Sequence, residues 1–229
     1  MASSNSSLTP RDVLTFWFGE AYYDEKTRLD SQEYMREMSK VWFFGSPDGD
    51  AEIRQDFGEL IRSAGRNFAG KGPREISEWQ ETREGLMATL ILTDQLARNA
   101  FRGTSEAFDY GPVADQVVDE LVKRRDAFQM SPPEVAMILL AYMHSEDMER
   151  HADGTAFATN YLKETGGRGN DLIIRQLEKD LPEHTAVLAE FGHYPHRNDL
   201  MGRGTTPEEF KWLNSDQCPG WAKSQLTRK

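Results

Sequence analysis

Apolar residues recur along this chain at helical spacing. Ile53, Phe57, Leu60, Ile61, Ala64 and Phe68 sit on one helical face, and Gly70 follows as a stop. Leu86, Leu90, Ile91 and Leu92 lead straight into Asp94-Gln95-Leu96, and Val113, Val117, Val118, Leu121 and Val122 form another stripe. Leu172, Ile173, Leu177, Leu181, Val187 and Leu188 predict further helix in the last third, across Pro182. Three helix starts are written in full: Thr9-Pro10, Ser131-Pro132-Pro133-Glu134 and Thr206-Pro207-Glu208-Glu209 each put a capping hydroxyl before a proline whose missing N–H costs nothing there. No alternating strand of useful length and no repeat of about 34 residues stands out. The pattern predicts an all-α protein of about eight to ten helices in a single compact domain. Its expected bounds are residues 9–214, between a disordered lead at 1–8 and a tail at 215–229.

Charge and composition narrow the function classes. Thirty-eight acidic and 27 basic residues leave a net charge of −11, which disfavours a protein that wraps nucleic acid or coats an anionic membrane. The longest apolar run, Val135–Met143, is far shorter than the ~20 residues a bilayer demands. MASSNSSLTP lacks the basic start and apolar core of a secretory signal, and the single Cys218 excludes an internal disulfide framework. A soluble cytoplasmic protein is expected, with no membrane partner. The two clusters of aromatics, FWF at 16–18 and WFF at 42–44, read as core.

Three polar segments are chemically denser than a solvated helix surface. In residues 94–104, Asp94 and Arg98 are four apart and can pair, while Gln95, Asn99 and Arg102 line a neighbouring stripe. His144-Ser145-Glu146-Asp147 directly follows the most apolar run, where polar groups are either hydrogen-bonded or open to a cleft. The glycine-broken loop 191–206 carries His193, His196, Arg197, Asn198 and Arg203 ahead of a capped helix. His193 and His196, with His184 or His144, have a spacing that zinc tolerates, but no HExxH or cysteine pair supports a metal, and none is expected. Gly166, Gly167 and Gly169 lack the strand and the Gly-Lys-Ser of a phosphate loop, so no cofactor is expected either. Local basic groupings occur at Arg62, Arg66, Lys71 and Arg74, and at Lys123, Arg124 and Arg125.

These segments carry a resemblance. VLTFWFGE, ILTDQLARNAFRGTSEAFDY, MHSEDMERH and EFGHYPHRNDLMGRGTTPEEFKWL resemble, in order and over roughly residues 10 to 213, the DUF924 family of unknown function. The family's fold is all-helical and tetratricopeptide-like. Its usual proline before the Arg-Asn pair is Ala97 here, and His193 replaces a usual arginine. The resemblance implies that the three segments wall one cleft. The chain is also loosely similar to fungal synthases of arginine-containing cyclodipeptides, which draw on aminoacyl-tRNA; such a substrate wants carboxylates, and Asp94, Glu146 and Asp147 are those in the motifs.

Two classes of function follow. In the first, the chain is a small-molecule or aminoacyl-transfer enzyme with His144, Glu146 and Asp94 as catalytic groups. Arg98, Asn99, Arg102, Asp147, His196, Arg197, Asn198 and Arg203 would bind substrate, and tRNA would be a partner through a local basic patch. In the second, the same residues form an inert polar network in a binding module for a peptide or anionic ligand. Convergence around an open pocket favours the first; mutual pairing sealed from water favours the second.

Overall fold

Capped starts and glycine stops set the helix boundaries. The computed structural model describes residues 8–24, 32–43, 46–68, 78–165 and 172–224. Helix α1 (Pro10–Phe18) opens with Thr9, whose N–H donates to Asp12 Oδ2 at 2.7 Å, and closes at Gly19 with φ at +77°. Short α2 (Ala21–Asp24) and α3 (Gln32–Phe43) follow, then the long α4 (Pro47–Phe68). Next come α5 (Arg83–Leu90), a π-helical stretch at Ile91–Leu96 and a last turn, α6 (Ala97–Ala100). Helices α7 (Gly111–Lys123), α8 (Pro132–His144), α9 (Met148–Thr165) and α10 (Leu172–Phe191) complete the bundle. Two short helices, α11 (Pro207–Leu213) and α12 (Gly220–Ser224), end the described chain.

The fold is all-α, and no strand occurs among the described residues. Helix α8 is its axis: all nine residues Val135–Met143 are buried, and α7, α9 and α10 pack around it. On the other side, α4 lies along the π-helical stretch and α6, and α1 lies against α5. Gly85 permits one close approach, since a Cβ there would stand 2.1 Å from the Trp79 carbonyl oxygen. Consecutive helices packed in this way are consistent with the tetratricopeptide-like pairing that the resemblance implies. Among the described residues no helix is long and apolar enough to cross a membrane.

A second, smaller core lies beside the first. Val187, Leu188, Tyr194, Trp212, Cys218 and Ala222 bury one another where α10, the 192–206 loop, α11 and α12 meet. Residues 215–224, beyond the boundary drawn at 214, are therefore part of the packed structure. Of the aromatic clusters, Trp17, Phe18 and Trp42 are core as expected, but Phe16 is 44% exposed. Gly70, Lys71, Arg74 and the glycines of 166–170 fall outside the described residues, as do the side chains of Phe43 and Phe44.

Candidate functional site

The two cores leave a cavity of about 570 Å³ between them. Leu140, Met143 and His144 from the end of α8 line it, as do Gln95, Arg98, Asn99 and Arg102 from the α5–α6 segment. Helix α10 supplies Ile173, Leu177, Asp180 and His184, and the loop after it supplies Tyr194, His196 and Arg197. Trp42 and Trp221, from opposite ends of the chain, add apolar surface.

The π-helical stretch aims the polar groups. One extra residue in a turn widens the helix locally, and such turns concentrate at sites where a side chain is re-aimed. Asp94 lies within it, only 2% exposed, one layer behind the cavity surface. Its carboxylate accepts Nε and Nη2 of Arg98 at 3.2 and 3.1 Å and Nε2 of Gln95 at 2.6 Å. His144 Nδ1 lies 2.8 Å from both Asp94 oxygens, so a neutral ring donates through Nδ1 and keeps Nε2 for the cavity. Burial, then the Arg98 charge, push His144 down to about 4 against the pull of Asp94. Burial opposes the Asp94 charge, but His144 and Arg98 outweigh it and hold the carboxyl far below its ordinary range.

The loop adds two buried groups with spare polar atoms. Arg197, 6% exposed, lies over the rings of Phe108 and Tyr194 and donates through Nη2 to the His144 carbonyl at 2.9 Å. Burial and Arg98 push it down to about 9, which leaves it cationic at neutral pH. His196 is 7% exposed; burial and then Arg197 keep it neutral. His196 Nδ1 and Arg197 Nε are buried without a hydrogen-bond partner.

Seven of the expected site residues thus converge: Asp94, Arg98, Asn99, Arg102, His144, His196 and Arg197. The other four, like Asp94 itself, do not line the cavity. Glu146 is no free base: it accepts Arg203 Nη1 and Nη2 at 2.7 and 3.0 Å and the Tyr194 N–H at 3.0 Å, with Arg197 Nη1 at 3.5 Å. Arg203 thus spends Nη1 and Nη2 on Glu146. Asp147 Oδ1 accepts the Glu149 N–H at 2.8 Å and caps α9. Asn198 is wholly buried, and its Nδ2 donates to Glu209 Oε2 at 3.2 Å. Among the described residues, no cluster of three or more His, Cys, Asp or Glu is arranged to hold a metal.

The α10 wall was missed in the sequence. Ile173, Leu177, Asp180 and His184 recur at helical steps, so two polar groups interrupt an apolar stripe, and that interruption was the available signal. Trp221 carried no signal; it stacks on His184 with ring centroids 4.0 Å apart and donates its indole N–H to Glu183 Oε2 at 2.8 Å. The basic groupings form no open cationic track among the described residues. Arg62 pairs with Glu106, Arg66 with Glu59, Lys123 and Arg124 with Glu120, and Arg125 with Glu164.

An all-helical fold with a mixed polar and aromatic cavity between its two cores defines the class of protein. The chain belongs to the family described as bacterial protein of unknown function (DUF924), which matches residues 13–217. It is also similar to the solved structure of a protein of unknown function from Agrobacterium tumefaciens, at 26% identity and a TM-score of 0.66, over 90% of this chain and 96% of that one. No curated protein matches it.

Proposed function

We propose that the cavity is the catalytic pocket of an enzyme acting on a small molecule, with His144 as general base and Asp94 as the group that orients it. The observation that carries this reading is the contact of His144 Nδ1 with both Asp94 oxygens at 2.8 Å, in a residue that lines the cavity. A buried carboxylate fixes the tautomer, so Nε2 faces the ligand as an acceptor. A histidine held neutral can take a proton throughout the physiological range.

The finer form of the proposal is aminoacyl transfer. An amine attacks the ester carbonyl of an aminoacyl donor, the C–N bond forms, and the ester C–O bond breaks. His144 Nε2 takes the proton from the amine and returns it to the departing alcohol oxygen. A cavity of about 570 Å³ suits the aminoacyl end of a donor, leaving any polynucleotide body outside. For an arginyl group, the cavity carboxylates without an ion pair among the described residues are Asp180 and Glu183, which accept only the neutral donors Gln176 and Trp221, whereas Asp94 and Glu146 are already engaged by arginines.

The test is to incubate the protein with aminoacylated tRNA and read products by mass spectrometry, with His144→Gln as the control. Native mass spectrometry of the unaltered protein runs alongside to find retained ligands. Product formation that disappears in His144→Gln supports acyl transfer. Equal product in both proteins removes His144 as the base, and a retained ligand that is never turned over makes the chain a binding module.

A further inference from the structure

We infer that Arg98, Asn99 and Arg102 form a seat for an anionic oxygen group, a phosphate or a carboxylate, of the molecule that the cavity takes. This rests on the reading of the cavity as the functional site and names the chemistry of its ligand. Arg98 spends Nε and Nη2 on Asp94 Oδ1, at 3.2 and 3.1 Å. Arg102 spends Nε and Nη2 on Asp50, at 2.6 and 3.5 Å, and Nη2 also donates to Asn99 Oδ1 at 2.8 Å. Each guanidinium is thus gripped along one edge by a carboxylate of the protein, and Asn99 has its acceptor filled. What remains on all three is donors: Nη1 of Arg98, Nη1 of Arg102 and Nδ2 of Asn99. All three residues line the cavity. The Arg102 Nη2–Asn99 Oδ1 bond holds those two side chains together, and Arg98 lines the same wall, so the remaining donors belong to one cavity.

Row after row of donors with their acceptors already filled calls for a ligand group that only accepts. Charge agrees with that conclusion. On the side of the loop and the α5–α6 segment, the guanidiniums of Arg98, Arg102, Arg197 and Arg203 face three carboxylates, Asp50, Asp94 and Glu146, so positive charge gathers on that side while the other acids of the cavity stand on α10. Asp180 and Glu183 line the α10 wall and repel an anion from that side, toward the arginines. The buried, unpartnered Arg197 Nε and His196 Nδ1 are two further polar atoms without partners in residues that line the same cavity.

The experiment titrates inorganic phosphate and, separately, succinate into the full chain and follows the Asn99 side-chain amide and the arginine Nε–H signals by NMR. Saturable shifts at Asn99, Arg98 and Arg102 are expected, with affinity about tenfold weaker in Arg102→Gln. Arg102→Gln also takes the cation from the buried Asp50, so its amide spectrum must first match that of the unaltered protein; Asn99→Ala, which breaks no ion pair, provides a second variant. Arg175→Gln, on an exposed position of α10, should bind as the unaltered protein does. Saturation by phosphate alone assigns a phosphate group, by succinate alone a carboxylate, and by both the shared anion chemistry. No saturable shift with either probe, or equal weakening in Arg175→Gln, overturns the seat. Absence of turnover in the aminoacyl assay would leave this result untouched, so the two ideas fail separately.

Discussion

Glu146→Gln should release the 192–224 segment without unfolding the bundle. That segment packs its apolar residues on Val187 and Leu188 of α10 and is tied to the end of α8 by polar contacts centred on Glu146. Tyr194 O–H adds a bond to the Met143 carbonyl at 2.6 Å, and Arg197 one to the His144 carbonyl at 2.9 Å. The substitution keeps an acceptor for the Tyr194 N–H but removes the charge opposite Arg203 and Arg197. A fully buried pair that loses one partner costs about 3–5 kcal/mol, and an exposed one about 0–1 kcal/mol. Side-chain exposures of 22% for Glu146 and 28% for Arg203 place this pair between those limits, at about 2 kcal/mol. Two kcal/mol corresponds to roughly thirty-fold faster amide exchange. Hydrogen exchange read by mass spectrometry should show that acceleration in 192–224 and leave 132–144 unchanged. Arg203→Lys should restore part of the protection that Arg203→Ala removes. Uniform acceleration along the whole chain, or none, would refute the clamp. The same pairing predicts an acid limit. Burial opposes the Glu146 charge, yet Arg203 and Arg197 hold the carboxyl below its ordinary range. Its stabilisation is therefore complete above the unfolded value of about 4.3 and is lost as pH falls through the lower folded value.

Three further outcomes are expected. His144 should titrate near pH 4 by NMR; because that lies below the unfolded value of about 6.5, its contribution to stability is complete above 6.5 and declines as pH falls toward 4, and a midpoint at 6.5 or above would contradict the buried dyad. Gly85→Ala should destabilise by about 1–3 kcal/mol in denaturant titration, since the new methyl meets the Trp79 backbone; an unchanged midpoint would show that Trp79 moves freely. Trp221→Ala should cost about 1 kcal/mol from the lost stack and move the His184 ring signals, whereas unmoved signals would mean that the two rings do not stack in solution.

The fold was legible because helix periodicity and caps are local. Thr9, Ser131 and Thr206 each precede a helix where the sequence places it, and Thr206 is filled by its Glu209 partner as the motif requires. The Asp94–Arg98 pair was equally local, a matter of four residues on one helix. Its partner His144 stands 50 positions away, and adjacency across that distance is set by the packing of α8 against α5, which runs on into the π-helical stretch. Glu146 shows the limit from the other side. A carboxylate beside a histidine in a polar motif reads as chemistry, but only the path of the chain reveals that Arg203, 57 residues on, takes both its oxygens. The π-helical turn itself had no sequence mark, since Ile91–Leu96 carries the same apolar period as an ordinary helix.

Trp221 comes after every other residue of the cavity wall in chain order. A chain emerging from its N-terminus therefore assembles the His144–Asp94 pair and the cavity arginines before the aromatic that closes over them. A polypeptide cut before residue 220 would carry the whole polar machinery in an unfinished room, and a tag fused just past Ser224 would press on that last wall. Loss of the proposed activity in either would report on enclosure, with the His144–Asp94 contact still in place.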